Sequence, residues 1–147
     1  MSRVPDAAAV RAAVEAVAPW LDDDDHDDDA TGTFATGTDP AGGGAVPKPG
    51  RSALAAAVRG TVGLLAAELP GRSVEVRVPP FAAAQCVEGP RHTRGSPPNV
   101  VETDARTWLQ LATGRLTWDE AVARGRVQAS GTRASAVAAG LPVLGRT

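Results

Sequence analysis

The sequence predicts an α/β fold of the α+β kind, a small sheet covered by helices. Three observations predict it. Residues 73–104, SVEVRVPPFAAAQCVEGPRHTRGSPPNVVETD, read as strand, sharp turn, strand, basic loop and strand, ending on a helix cap. Residues 105–131 then alternate helix caps with glycine stops, as elements that pack back onto a sheet do. Residues 51–69 carry aliphatic side chains at helical spacing ahead of the sheet.

Asp6 to Leu21 reads as a short amphipathic helix, with Val10, Val14, Val17 and Leu21 on one face and Pro19 limiting its end. A helix this short is marginal alone, so it docks or frays. Asp22 to Gly50 reads as a flexible linker: DDDDHDDD repels itself and the rest is rich in Gly, Thr and Pro. The acidic run fails as a calcium loop, because no register places Gly at loop position six and Glu at position twelve. GGGAVPKPGRS fails as a phosphate loop, since no Gly-Lys-Ser/Thr follows its glycines. The domain organisation expected is therefore a helix over 1–21, a linker over 22–50 and a domain over 51–147.

Arg51 to Leu69 forms a second helix with Ser52 as its cap. Its face is Leu54, Val58, Thr61, Leu65 and Leu69. Gly60 and Gly63 weaken it but let another element come close. In Val74 to Val78 valines alternate with charges, a half-buried strand that Pro79-Pro80 ends. Ala82 to Val87 is a second strand, whose small side chains allow close packing or leave room for a guest. Asn99 to Thr103 is a third. Asp104 caps the next helix, Trp108, Leu111 and Ala112 form its apolar face, and Gly114 closes it. Thr117 to Glu120 is a capping box, with Leu116 and Ala121 as its hydrophobic staple, on a helix reaching Gly125. Arg126 to Ser130 reads as a strand with Val127 and Ala129 inward. Thr132 to Ala139 forms a last short helix before the apolar Leu141-Pro142-Val143-Leu144.

Composition bounds the function. The chain of 147 residues is 43% hydrophobic but only 3% aromatic, so its core is aliphatic. One cysteine, Cys86, excludes an internal disulfide and a cysteine-built zinc site, and points to a reducing cytoplasm. No signal peptide or membrane-spanning run is present. Seven of the 17 acids sit in Asp22–Asp29, and the other ten face 15 bases. That mildly basic body is not the basic stripe of a nucleic-acid binder.

The series Asp104, Trp108, Leu111, Gly114, Thr117, Ala121, Gly125, Arg126, Val127 and Gly131 resembles the C-terminal half of the sterol carrier protein type 2 family. The upstream VEVRVPPFAAAQCVEGPRHTRGSPPN resembles a bacterial, mostly actinobacterial, branch of it. The likeness spans Arg51 to Gly131. It implies a mostly antiparallel sheet of five strands, or of four good ones because GPRHTRGSPP replaces one. It also implies covering helices and an apolar tunnel for sterols, acyl chains or similar lipids. The C-terminal helix that lines the tunnel in relatives is short and alanine-rich in this chain.

The residues that could carry chemistry are few. Arg91, His92 and Arg94 sit on a Gly/Pro loop and could meet an anionic head group through charge-assisted bonds. Alternatively, Arg91 and Arg94 pair with Glu88 and Glu102 and only pin the loop. Phe81, Trp108 and Trp118 could line a ligand cavity or simply fill the core, both tryptophans standing half-exposed at helix starts. Cys86 reads as a buried inert thiol. His92 has no neighbouring histidine for a metal, and no metal, cofactor or catalytic constellation is expected.

The function expected is a non-catalytic binding module for a lipid or other small hydrophobic, anionic-headed ligand. The alternatives are an accessory domain related to the C-terminal part of mycothiol-dependent isomerases, or a protein-interaction module using the first helix or the acidic run. In that last case, removing residues 1–50 abolishes partner capture and leaves the fold intact. The acidic run could also fold back on Arg91, His92 and Arg94 as a tethered competitor for anions, since a flexible linker of about thirty residues spans roughly 30 Å.

Overall fold

The structure, a computed structural model, describes residues 4–23, 46–89 and 99–145. In chain order the elements are helices α1 (Ala7–Leu21) and α2 (Arg51–Glu68) and strands β1 (Val74–Val78), β2 (Ala82–Cys86) and β3 (Val100–Thr103). Helices α3 (Ala105–Thr113) and α4 (Trp118–Ala123), strand β4 (Val127–Ser130) and a closing 3₁₀ helix (Ala134–Gly140) follow.

Local chemistry places most element ends. Asp6 accepts from the Ala8 N–H at 3.2 Å and starts α1. Asp104 accepts from the Thr107 N–H at 3.0 Å and its hydroxyl at 2.7 Å, fixing the turn from β3 into α3. Gly114, at φ 80°, closes α3 in the left-handed region that glycine tolerates. Thr117 accepts from the Glu120 N–H at 3.2 Å, and the staple residues Leu116 and Ala121 are both buried beside it.

Four local expectations are corrected. Ser52 does not cap α2; Gly50 does, without a side-chain bond, and glycine at that position loses only a few tenths of a kcal/mol relative to serine. Pro19 does not limit α1: it lies inside the helix, which continues to Leu21 because α3 holds its end. Helix α4 stops at Ala123, with Arg124 as its cap and Gly125 left-handed at φ 69°. Ala129 shares the face of Val101, its partner in register, yet is exposed, because β4 is an edge strand.

The sheet has four strands in the order β2-β1-β3-β4. The ladders β1–β2 and β3–β4 are antiparallel, while the central ladder β1–β3 is parallel. The sheet is thus mixed. Because β2 runs back along β1 and β3 runs forward on its other side, Cys86 at the end of β2 and Val100 at the start of β3 both lie at the Ser73 end of β1. No strand intervenes between β1 and β3, and GPRHTRGSPP has neither the alternation nor the backbone donors to supply one.

Val74, Val76, Val78 and Val101 point to the helix-covered face and are buried. Glu75, Arg77, Gln85, Glu102 and Gln128 share the other face, where Arg77 Nε meets Glu75 Oε1 at 2.5 Å. Alternation alone therefore decides which face the helices cover.

Helix α1 belongs to the same core. Val10, Val14, Val17, Trp20 and Leu21 are buried in one cluster with Leu54, Val58, Trp108 and Leu109. The glycines of α2 are what let it dock: a Cβ on Gly60 would stand 2.8 Å from Val10 Cγ2, and one on Gly63 would stand 2.6 Å from Pro5 Cγ. Removing residues 1–50 with the fold intact is therefore not to be expected, since the cut strips one wall from the core. Among the described residues, no helix is long and apolar enough to cross a membrane.

Candidate functional site

Arg91, His92 and Arg94 lie outside the described residues, as do Asp24–Asp29 of the acidic run. The roots of the basic loop are described, and they are held together. Ser73 donates its hydroxyl to the Val87 carbonyl at 2.7 Å. The Asn99 amide donates to the Ser73 carbonyl at 2.7 Å and accepts from the Arg133 N–H at 2.9 Å. The Arg133 guanidinium reaches the Glu88 carbonyl at 3.4 Å. Both ends of the loop and a further cation, Arg133, thus gather at one end of the sheet.

The aromatic candidates do not gather there. Phe81 is half-buried at the opposite end of β1 and β2, one strand length away, or roughly 15 Å. Its carbonyl accepts from Arg59 Nε at 2.9 Å. Trp118 is half-buried at the start of α4. Trp108 is not half-exposed as expected: it is 1% exposed, and its indole N–H donates to Thr61 Oγ1 at 2.8 Å. It fills the core between α2 and α3. Cys86 is also buried, and loss of water around it pushes its thiol up to about 11, so it is not a poised nucleophile.

A second polar centre, unforeseen from the sequence, surrounds the end of α1. Arg106 is 7% exposed and donates through Nη2 to the Asp23 carbonyl at 2.6 Å and the Leu21 carbonyl at 3.4 Å. Its guanidinium lies 5.8 Å from the Trp20 ring centre. Gln110 donates to the same Leu21 carbonyl at 3.4 Å. Arg115 grips Asp22 with two bonds, Nε to Oδ1 at 2.7 Å and Nη2 to Oδ2 at 3.2 Å. Two cations thus face the negative end of the α1 dipole. Asp23 Oδ2 accepts from the Val46 N–H at 2.7 Å, so the two ends of segment 24–45 meet beside Arg106. Asp22 and Asp23, expected as spacer, are structural. The one sequence signal was Arg106's position, three residues before Leu109 on the apolar face of α3.

Beside this centre lies a surface cleft of about 90 Å³ between α1, the end of α3 and the C-terminal segment. Arg11, Val14, Glu15, Ala18, Thr113, Arg115, Leu144 and Gly145 line it. The segment that forms its far wall is tied to α3 by the Leu144 N–H to the Ala112 carbonyl at 2.9 Å.

No curated protein matches the chain. A family model described as bacterial SCP ortholog matches residues 50–143, from the cap of α2 through every strand to the tail beyond the 3₁₀ helix. A helix-covered sheet with an aliphatic interior accords with that match, and such a domain suggests a role in binding lipid or another hydrophobic ligand. The chain belongs to this bacterial family of sterol carrier protein-like domains.

Proposed function

We propose that this domain binds a lipid or other small hydrophobic molecule carrying an anionic head, and leaves it chemically unchanged. The observation that supports the reading most is the layer between sheet and helices in a chain of this family. It is mostly aliphatic, with Val58, Leu65, Val74, Val76, Val101 and Leu109 at its centre. An apolar ligand loses water there without stranding a polar group. At β2, Ala82 and Ala84 present small side chains to the covered face and are only half-buried, as is Phe81. Cations stand where a polar head could remain in water: Arg59 near Phe81, and Arg133 at the roots of the loop that carries Arg91, His92 and Arg94.

The test is direct. Delipidated full-length chain is titrated with fluorescent acyl-chain and sterol probes, and saturable uptake at micromolar ligand is the expected result. Uptake of neither probe overturns the reading. Native mass spectrometry of the purified protein identifies any ligand carried through purification.

A further inference from the structure

We propose that the outer edge of β2 docks a second copy of this chain, joining two sheets antiparallel about a two-fold axis at Ala84. The inference is independent of which ligand the domain holds. β2 is an edge strand, so one side of it has no ladder among the described residues. The ladders decide which of its backbone groups point that way. Glu75 donates its N–H to the Asn99 carbonyl at 3.0 Å, so Glu75 and Arg77 turn their backbone groups toward β3. Val74, Val76 and Val78 therefore serve β2, where their partners are Cys86, Ala84 and Ala82. Ala83 and Gln85 are left with N–H and C=O directed outward, and both residues are exposed. The edge is closed beyond them. The Phe81 carbonyl accepts from Arg59 Nε at 2.9 Å, and Val87 donates its N–H to the Leu69 carbonyl at 2.7 Å.

This pattern is self-complementary. A second β2 laid antiparallel, Ala84 opposite Ala84, sets each Ala83 against a Gln85 of the other copy. Both pairs are then of the hydrogen-bonded kind, and every outward group at Ala83 and Gln85 finds a partner. The axis falls on the close, non-bonded kind of pair, with Cα atoms about 4.5 Å apart, where alanine is small enough to meet itself. Ala82 and Ala84, half-buried in the single chain, lose further water in the pair. The strand carries none of the usual blocks to such pairing, since AAAQC has no charge and no proline. Charge favours the antiparallel sense. Phe81, with Arg59 bonded to it, comes level with Val87 of the other copy, beside exposed Glu88 and near Glu68, which precedes Leu69. Arg72 and Arg133 stand at that end too, but inboard: Arg72 leads into β1, and Arg133 bonds Asn99 ahead of β3. The other edge, β4, has Arg124 and Arg126 before it and Arg133 past its end. The same pairing there would set cation against cation.

The experiment is sedimentation velocity of the full-length chain. A strand of five residues makes a small interface, so the expected result is a dimer that fills in between about 10 µM and about 1 mM. Ala83→Pro removes an outward donor and spares the β1 ladder, and it should leave the chain monomeric throughout. Arg59→Glu should weaken the dimer about fivefold, and adding Glu88→Arg should restore it, which damage to the fold at Arg59 would not allow. Ala129→Pro, on the β4 edge, should change nothing. Thermal unfolding shows that each variant is folded. Should Ala83→Pro fail to fold, Ala84→Cys in a Cys86→Ala background reports the register directly. Air oxidation should give a disulfide-linked dimer there, since the two thiols meet at the axis, while Ala82→Cys in the same background should not crosslink. A wild type still monomeric at the highest concentration overturns the proposal, whatever other strand the edge accepts. A dimer that survives Ala83→Pro or is lost in Ala129→Pro overturns the edge assigned, and a crosslink through position 82 but not 84 overturns the register.

Discussion

The indole N–H of Trp108 donates to the hydroxyl of Thr61 at 2.8 Å, and that hydroxyl donates in turn to the Ala57 carbonyl at 2.7 Å. All three residues are buried. The relay joins α3 to α2 across the core and satisfies the one polar atom that the largest buried side chain brings with it.

Thr61→Val keeps the shape and removes the acceptor. It should destabilise the protein by about 1–3 kcal/mol, the penalty of a buried donor left without a partner. In a Trp108→Phe background the same change should cost clearly less, because no donor remains. Urea unfolding of the two single variants and the double variant measures the coupling.

Gly60→Ala improves the intrinsic helix propensity of α2 by about 1 kcal/mol, yet it should destabilise the whole chain. Its Cβ would stand 2.8 Å from Val10 Cγ2 and 3.1 Å from Cγ1, and a β-branched side chain in a helix has no other comfortable rotamer. The expected net loss is about 1–3 kcal/mol. Adding Val10→Ala should recover part of it. Thermal denaturation of the three variants decides the sign.

Deleting residues 1–21 should abolish cooperative unfolding. The truncation removes five buried α1 side chains from the cluster they share with α2 and α3, each worth about 1.5–3 kcal/mol of burial. Near-ultraviolet circular dichroism and limited proteolysis report the loss. A truncated chain with wild-type protease resistance would show that α1 is dispensable.

Arg106→Met should loosen the end of α1 without unfolding the sheet. It removes charge-assisted bonds to the Leu21 and Asp23 carbonyls, worth about 1.5–3 kcal/mol each. Hydrogen exchange should speed up at residues 20–23 and at Val46, and stay slow in β1. Asp22→Asn, which takes the charge from the solvent-screened pair with Arg115, should cost less than Arg106→Met, about 1 kcal/mol.

Stability should fall in alkali through Cys86. Burial raises its thiol from 9.0 to about 11. Below pH 9 both folded and unfolded chains keep the proton, so nothing changes. Above it the unfolded chain releases the proton while the folded one retains it, and the balance shifts toward unfolding until the folded thiol titrates near 11. The loss across that window is on the order of 2 kcal/mol. Cys86→Ala should flatten it in urea melts run from pH 8 to pH 11. Thiol-reagent labelling at pH 8 should track unfolding.

The caps were legible in the sequence because their chemistry is local. Asp104, Gly114 and Thr117 bond within a few residues of themselves. The buried face of β1 was legible for the same reason, since alternation is a local pattern. Strand direction was not: alternation in β1 and β3 reads alike whether they run parallel or antiparallel. The clamp on α1 was hidden by distance. Arg106 finds its acceptors 85 and 83 residues away, and Arg115 finds Asp22 at a separation of 93. An arginine beside an apolar helix face hints at burial but does not say which distant carbonyls it will meet. Trp108 was placed on the correct face but read as half-exposed, because nothing in ARTWLQLAT announces Thr61 as its acceptor.

The bond between Asp23 and Val46 makes the chain modular at that point. Its two ends already meet, so the length of the stretch joining them weighs little on folding. Chain-closure entropy varies only as the logarithm of loop length, about 0.6 kcal/mol per doubling. Lengthening the chain between Asp23 and Val46 by a protease site or a foreign epitope should therefore cost little closure entropy, and the position is a port for tethering a reporter next to α1.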